Sequence, residues 1–167
     1  QIVRDSGVSS LRMVSVLSAV PFVAGAAAQL LVGRHSDRRG ERRWHTACAA
    51  FVAAVAWGLL PIAGRHPVTA LLVLTLAAAG TLASMVPFWT MPAALMSGTA
   101  VAAGIALFNV VGSLGSLISP VLVGWVASRT GSLESTHYYY AAVMAAGALA
   151  VAATGLRRQT PVPEKVG

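Results

Sequence analysis

Gly33, Asp37, Arg38, Gly40, Arg42 and Arg43 lie close together in the stretch GRHSDRRGERRWH, which holds five of the chain's twelve lysines and arginines. A carboxylate among guanidinium groups can form charge-assisted hydrogen bonds. A basic run of this kind can also bind a polyanion, or hold a loop at the cytoplasmic face of a membrane. Elsewhere the polar side chains that stand out are isolated ones. Gln29, Trp89 and Asn109 carry amide or indole groups inside long apolar runs, where an unbonded amide is costly. The four histidines lie at loops or run ends, and none has a carboxylate or second histidine four residues further on. No metal site, cofactor site or catalytic set is therefore expected. Cys48 has no second cysteine to pair with and reads as a small apolar residue on a packed helix.

The elements around these residues are dictated by composition. Hydrophobic residues make up 56% of the chain and charged residues only 10%, against roughly 25% charged in a soluble domain. Mean hydropathy is +0.72, so the solvent of most of this chain is lipid. The net charge of +7 then reflects arginines beside apolar spans rather than a nucleic-acid surface, which needs exposed flanks that are not apolar. Five apolar runs near 20 residues long appear, at 13–33, 46–64, 68–91, 100–126 and 138–156, none containing Asp, Glu, Lys or Arg. At 1.5 Å per residue each matches a hydrocarbon core about 30 Å thick. The expected fold is an all-α polytopic membrane bundle spanning 13–156, preceded by a polar lead-in at 1–12 and followed by a tail at 157–167. Alternation of the helices puts Arg34, Arg38, Arg39, Arg42, Arg43, Arg157, Arg158 and Lys165 on one side. By the positive-inside bias that side, with the C-terminus, is cytoplasmic. The polar lead-in beginning at Gln1 lacks the pattern of a secretory signal and reads as part of a longer protein.

The spacing G-x-x-x-D-R-x-G-x-R-R resembles the loop between the second and third helices of each half of major facilitator superfamily transporters. Ser36-Asp37-Arg38 with the trailing Arg42-Arg43-x-His45 is similar to the form of that loop in the anion:cation symporter family, which includes tartrate- and phthalate-type carriers. The stretches PFWTMPAALMSGTAVAAGIALFN and NVVGSLGSLISPVLVGW resemble helices ten and eleven of the same family. The resemblance implies helices eight to twelve of a twelve-helix inner-membrane protein. It implies a missing N-terminal half that supplies the anion-pairing arginine and the proton-titrating carboxylates. It also implies Asp37 in a gating role. On physical grounds Gly33 and Gly40 would permit a tight reversal, and Asp37 would cap a neighbouring helix N-terminus or pair with an arginine.

Transporter sites sit near the bilayer midplane on irregular helices. Pro87 and Pro92 bracket Phe88, Trp89, Thr90 and Met91, and each proline frees a carbonyl one turn earlier. Trp89 then has two readings, a ligand contact or an interfacial belt residue like Trp44, Trp57 and Trp125. Asn109 is a ligand contact or a polar link between helices, and Gln29 is a third candidate for lining the pathway. Family resemblance favours the ligand readings of Trp89 and Asn109. Gly104, Gly112, Gly115, Ser116 and Ser119 read as small residues allowing close helix approach, and Tyr138 to Tyr140 as an external aromatic belt.

The leading functional expectation is proton-coupled uptake of small organic anions by alternating access, with protons, the anion, the bilayer and the absent half as partners. The alternative is a structural or assembly membrane protein that transports nothing. A membrane-embedded enzyme would need convergent catalytic groups at membrane depth, and the spans hold none. The orientation is open to measurement: a cysteine placed at Gly40 is expected to react with an impermeant thiol reagent only from the cytoplasmic side, and one at Ser132 only from outside. Reversed labelling would overturn the assignment.

Overall fold

The computed structural model describes residues 11–132 and 134–154. Nearly all of the lead-in and the whole tail at 157–167 therefore lie outside the described residues. The elements are α1 (Leu11–Arg39), α2 (Arg43–Ala63), α3 (Pro67–Trp89), the five-residue α4 (Met91–Leu95), α5 (Thr99–Thr130) and α6 (Ser135–Ala153). No strand occurs among the described residues, and the all-α membrane bundle expected from the apolar runs is what the chain forms. Four helical stretches, Val16–Arg39, Arg43–Ala63, Pro67–Ala93 and Thr99–Thr130, are long and apolar enough to cross a membrane. The fifth, α6, has 19 residues and opens with polar Ser135, Thr136 and His137. Its rise of about 28 Å still approaches the thickness of the hydrocarbon core.

Helix α3 is the hub. It packs along α1 on one side and α2 on the other, while α6 packs on α2. The seams are built from small residues: Ala53, Ala56 and Ala77 are fully buried, and Ala47, Ala50, Ala54, Ala70 and Ala83 nearly so. A Cβ at Gly80 of α3 would stand 2.8 Å from both the Ala49 carbonyl and the Ala53 amide nitrogen of α2. That contact is with backbone, so nothing there can swing aside. On the other seam a Cβ at Gly33 of α1 would lie 3.0 Å from Val86 Cγ1. Helix α5, by contrast, is almost wholly exposed, touching α4 and α6 lightly.

One expectation about the basic stretch needs correction. Gly33 does not sit in a reversal, because α1 continues without interruption to Arg39 and carries Gly33, Asp37 and Arg38 as helical residues. The reversal is made by Gly40 alone, at φ 59°. The Gly40 amide donates to the Asp37 carbonyl and the Glu41 amide to the Ser36 carbonyl, both at 3.2 Å, which is the Schellman pattern for ending a helix on a left-handed residue. The apolar run stops where lipid stops; the helix stops where a residue can take positive φ. Ser36, fully buried, donates its hydroxyl to the Glu41 carbonyl at 2.7 Å and fastens the turn.

Replacing Gly80 by Val is expected to destabilise the bundle by about 1–3 kcal/mol, as overpacking at a fixed backbone contact does. Gly112→Ala serves as a control, since a Cβ there meets nothing within 4 Å. Thermal unfolding in detergent reads the difference, and equal melting of the two variants would show that the α2/α3 crossing does not set stability.

Candidate functional site

The Gly40 turn brings the charged groups into a network that joins three helices. Arg42 Nη1 lies 2.9 Å from Asp37 Oδ1 and 2.7 Å from the hydroxyl of Thr90, the residue between α3 and α4. Thr90 in turn donates to the Pro87 carbonyl at 2.8 Å. The cation thus links the end of α1 to the break after α3, next to Trp89. Its neighbour Arg43 donates to the Ala152 carbonyl in the last turn of α6, where the negative end of the helix dipole favours a cation. Arg43 also lies over the Trp44 ring at 4.9 Å.

Asp37 is occupied by Arg42, and it is Glu41 that caps the N-terminus of α2. The Glu41 carboxylate accepts from the Trp44 amide at 2.7 Å, the His45 amide at 3.2 Å and His45 Nδ1 at 2.7 Å. Burial pushes the Glu41 carboxyl up, but the hydrogen bonds from Trp44 and His45, with the His45 charge, outweigh it and hold the group below its ordinary value. His45 also stands 5.0 Å from the ring of His35. The Glu41–His45 pair escapes a search that looks forward from each histidine; a backward search at the same helical spacing finds it. Among the described residues no group of three or more His, Cys, Asp or Glu is placed to hold a metal ion.

The isolated polar residues are distributed as follows. Trp89 ends α3, is 39% exposed and meets Phe88 edge-on at 5.7 Å. Asn109 is exposed on α5 and donates Nδ2 to the Ile105 carbonyl of its own helix at 3.0 Å. Between α3 and α5 it is Phe88 and Phe108 that meet, stacked at 5.5 Å, so Trp89 and Asn109 each adjoin a contacting ring. Gln29 is half-buried in α1. Trp57 departs from the belt reading: its indole donates to Thr81 at 3.4 Å and its ring packs against His137 and Tyr140 at 6.0 and 5.1 Å. Trp44 and Trp125 are over half exposed. Tyr138 is exposed likewise, whereas Tyr139 and Tyr140 turn inward, Tyr139 toward Ser119. Small residues Gly112, Gly115, Ser116 and Ser119 line an open groove of about 760 Å³ between α5 and α6 rather than a tight seam. Cys48 is exposed on α2, a helix that packs on α3 and α6.

A carboxyl held below its ordinary value in the folded state contributes stability that is present at neutral pH and lost as pH falls through that lowered value. Glu41→Ala is therefore expected to cost about 0.5–1 kcal/mol at pH 7, the low range for a partly exposed helix cap. The deficit should close on acidification below the ordinary carboxylate range. Melting curves of both proteins across pH test this, and a deficit that persists unchanged into acid would remove the charge from the account.

A scan against family models matches residues 2–167 to the Major Facilitator Superfamily. The chain is 41% identical over 150 residues to a protein of Agrobacterium vitis named "Putative tartrate transporter", with 89% of this chain aligned to 34% of that protein. It is 43% identical over 108 residues to the "Inner membrane transport protein RhmT" of Escherichia coli, with 65% of this chain aligned to 25% of the relative. A third relative, from Pseudomonas putida, is named "Putative metabolite transport protein NicT" and is 32% identical over 83% of this chain and 32% of its own length. The chain thus spans about a third or less of the length of these curated relatives. No solved structure matches it. With its apolar helices, its charged turn and a family match over almost its whole length, the chain is a multi-pass membrane protein of a transporter family rather than an enzyme: it belongs to the major facilitator superfamily.

Proposed function

We propose that this chain forms part of a secondary active transporter of the inner membrane, with its C-terminus cytoplasmic, that takes up small organic anions with protons by alternating access. Carboxylates are the substrate class, in line with relatives named for tartrate and metabolite transport. The observation that carries the reading is the Arg42 link, with Asp37 on one side and Thr90 on the other at 2.9 and 2.7 Å. A solvated loop that only set orientation would have no need to grip the break beside Trp89. Gly33, Asp37, Arg38, Gly40, Arg42 and Arg43 act in the gate, and Trp89, Asn109 and Gln29 face the substrate. None of the five spans foreseen from the sequence contains an acid or a lysine. The proton-titrating groups and the anion-pairing cation therefore belong to further helices of the complete transporter.

One experiment on the complete transporter separates gate from site. Asp37→Asn is expected to slow maximal transport while leaving substrate affinity and membrane insertion near normal. Trp89→Ala and Asn109→Ala are expected to weaken binding by roughly five- to a hundred-fold, the cost of about 1–3 kcal/mol for a lost buried hydrogen bond. Unchanged affinity in both alanine variants would return the two residues to packing, and an unchanged rate in Asp37→Asn would return the turn to orientation alone.

A further inference from the structure

Glu41 and His45 face each other with both side chains more than four-fifths buried, His45 Nδ1 donating to Glu41 Oε2 at 2.7 Å. The ring of His35, near the end of α1, stands 5.0 Å from that of His45 and is tilted from it by 54°. Two imidazoles thus share one carboxylate, and all three groups belong to this chain, drawn together by the Gly40 turn. The charges around them are cations or are already engaged. Arg34 adjoins His35 and Arg38 and Arg39 lie one turn beyond it. Arg42 is bonded to Asp37 and Thr90, Arg43 to the Ala152 carbonyl, and Cys48 lies one turn after His45. Helix α3, on which α1 and α2 both pack, holds no titratable side chain. Those of α6, His137 and Tyr138 to Tyr140, lie at its first turns, whereas Arg43 meets its last.

Histidine is the side chain whose charge ordinarily changes between about pH 5 and 8. One proton on this group gives an imidazolium bonded to a carboxylate, a charge-assisted pair. A second proton puts two imidazoliums 5.0 Å apart with one carboxylate to balance them and arginines close by, and like charges at that range repel. We propose that His35, Glu41 and His45 form a proton-binding clasp across the Gly40 turn, closed with one proton and driven open by a second. The open turn binds the second proton better than the closed one does, so the closed turn loses stability as pH falls through the histidine range. Little packing resists the opening. Behind the rings α1 and α2 are parted by a crevice of about 320 Å³, with Val32 on one wall, Val52 on the other and His45 in its lining. The proton held here is not the one coupled to substrate, and the clasp stands whether or not the chain transports.

The test is amide hydrogen exchange of the complete transporter in lipid nanodiscs, read by mass spectrometry over residues 41–46 and corrected for the chemical exchange rate. This segment holds the Trp44 and His45 amides that donate to Glu41. In the unaltered protein their protection is expected to fall about ten-fold between about pH 7 and pH 5. Over that range Glu41 keeps its charge: against the upward push of burial, the bonds from Trp44 and His45 hold its carboxyl below its ordinary value. H35Q, and H35F with a ring that takes no proton, should each lose less than about two-fold, since only one imidazole is left to charge. H66Q, beyond the opposite end of α2, should behave as the unaltered protein does. Protection that holds to pH 5 in the unaltered protein would overturn the proposal without recourse to any variant. An equal loss in H35Q and H35F would overturn it too, by showing that acid acts on some group other than the pair of rings.

Discussion

Acyl chains are as apolar as the alanines and leucines they touch, so exclusion from water cannot hold one span against another. What remains is dispersion at close range, and in this bundle that range is set where Gly80 meets the backbone of Ala49 and Ala53. A methyl group there would push α2 from α3. Since α6 packs on α2 and α1 on α3, every other helical contact in the core is referred to that crossing. Alanine dominates the buried set for the same reason: it adds surface without adding distance.

The polar turn is a consequence of that packing more than a cause of it. Once α2 and α3 are close, Arg42 at the start of α2 and Thr90 at the end of α3 are brought within 2.7 Å, although 48 residues separate them. Once α6 lies on α2, the carbonyl of Ala152 comes within reach of Arg43. Two adjacent arginines therefore tie two different helices to one turn. The Gly40 reversal aims them, because its left-handed φ starts α2 directly after the charged end of α1.

Much of this was legible in the sequence, and the exceptions have physical causes. The apolar runs could be found because a span must be continuous and about 20 residues long. The end of α1 was misplaced by six residues because hydropathy marks the edge of lipid, while arginine and serine are tolerable helix formers that carry the helix on to Gly40. Trp57 resembled a belt residue from its place near a span end, and only the approach of α6 with His137 and Tyr140 reveals its role in packing. Thr90 as the partner of Arg42 could not be read from local spacing at all, since the contact is set by the tertiary crossing. The family resemblance reached the chain's class through the turn motif and the two later stretches, and the family match bears it out.

On the proposed reading, the polar groups left within the spans limit what this chain can contribute to holding an anion. Asn109 uses one N–H of its amide on the Ile105 carbonyl, which leaves one N–H and the oxygen. Trp89 offers a single indole N–H, and Gln29 an amide. These are neutral donors: they can orient a carboxylate, but each supplies only a dipole where a full charge must be stabilised away from water. The arginines with described side chains stand at helix ends and connections, with Arg42 and Arg43 already bonded to the protein. On the proposed reading, this chain therefore positions the substrate and works the gate, while charge compensation comes from outside these helices. Such a division would suit alternating access, because the site would assemble only when the two contributions meet.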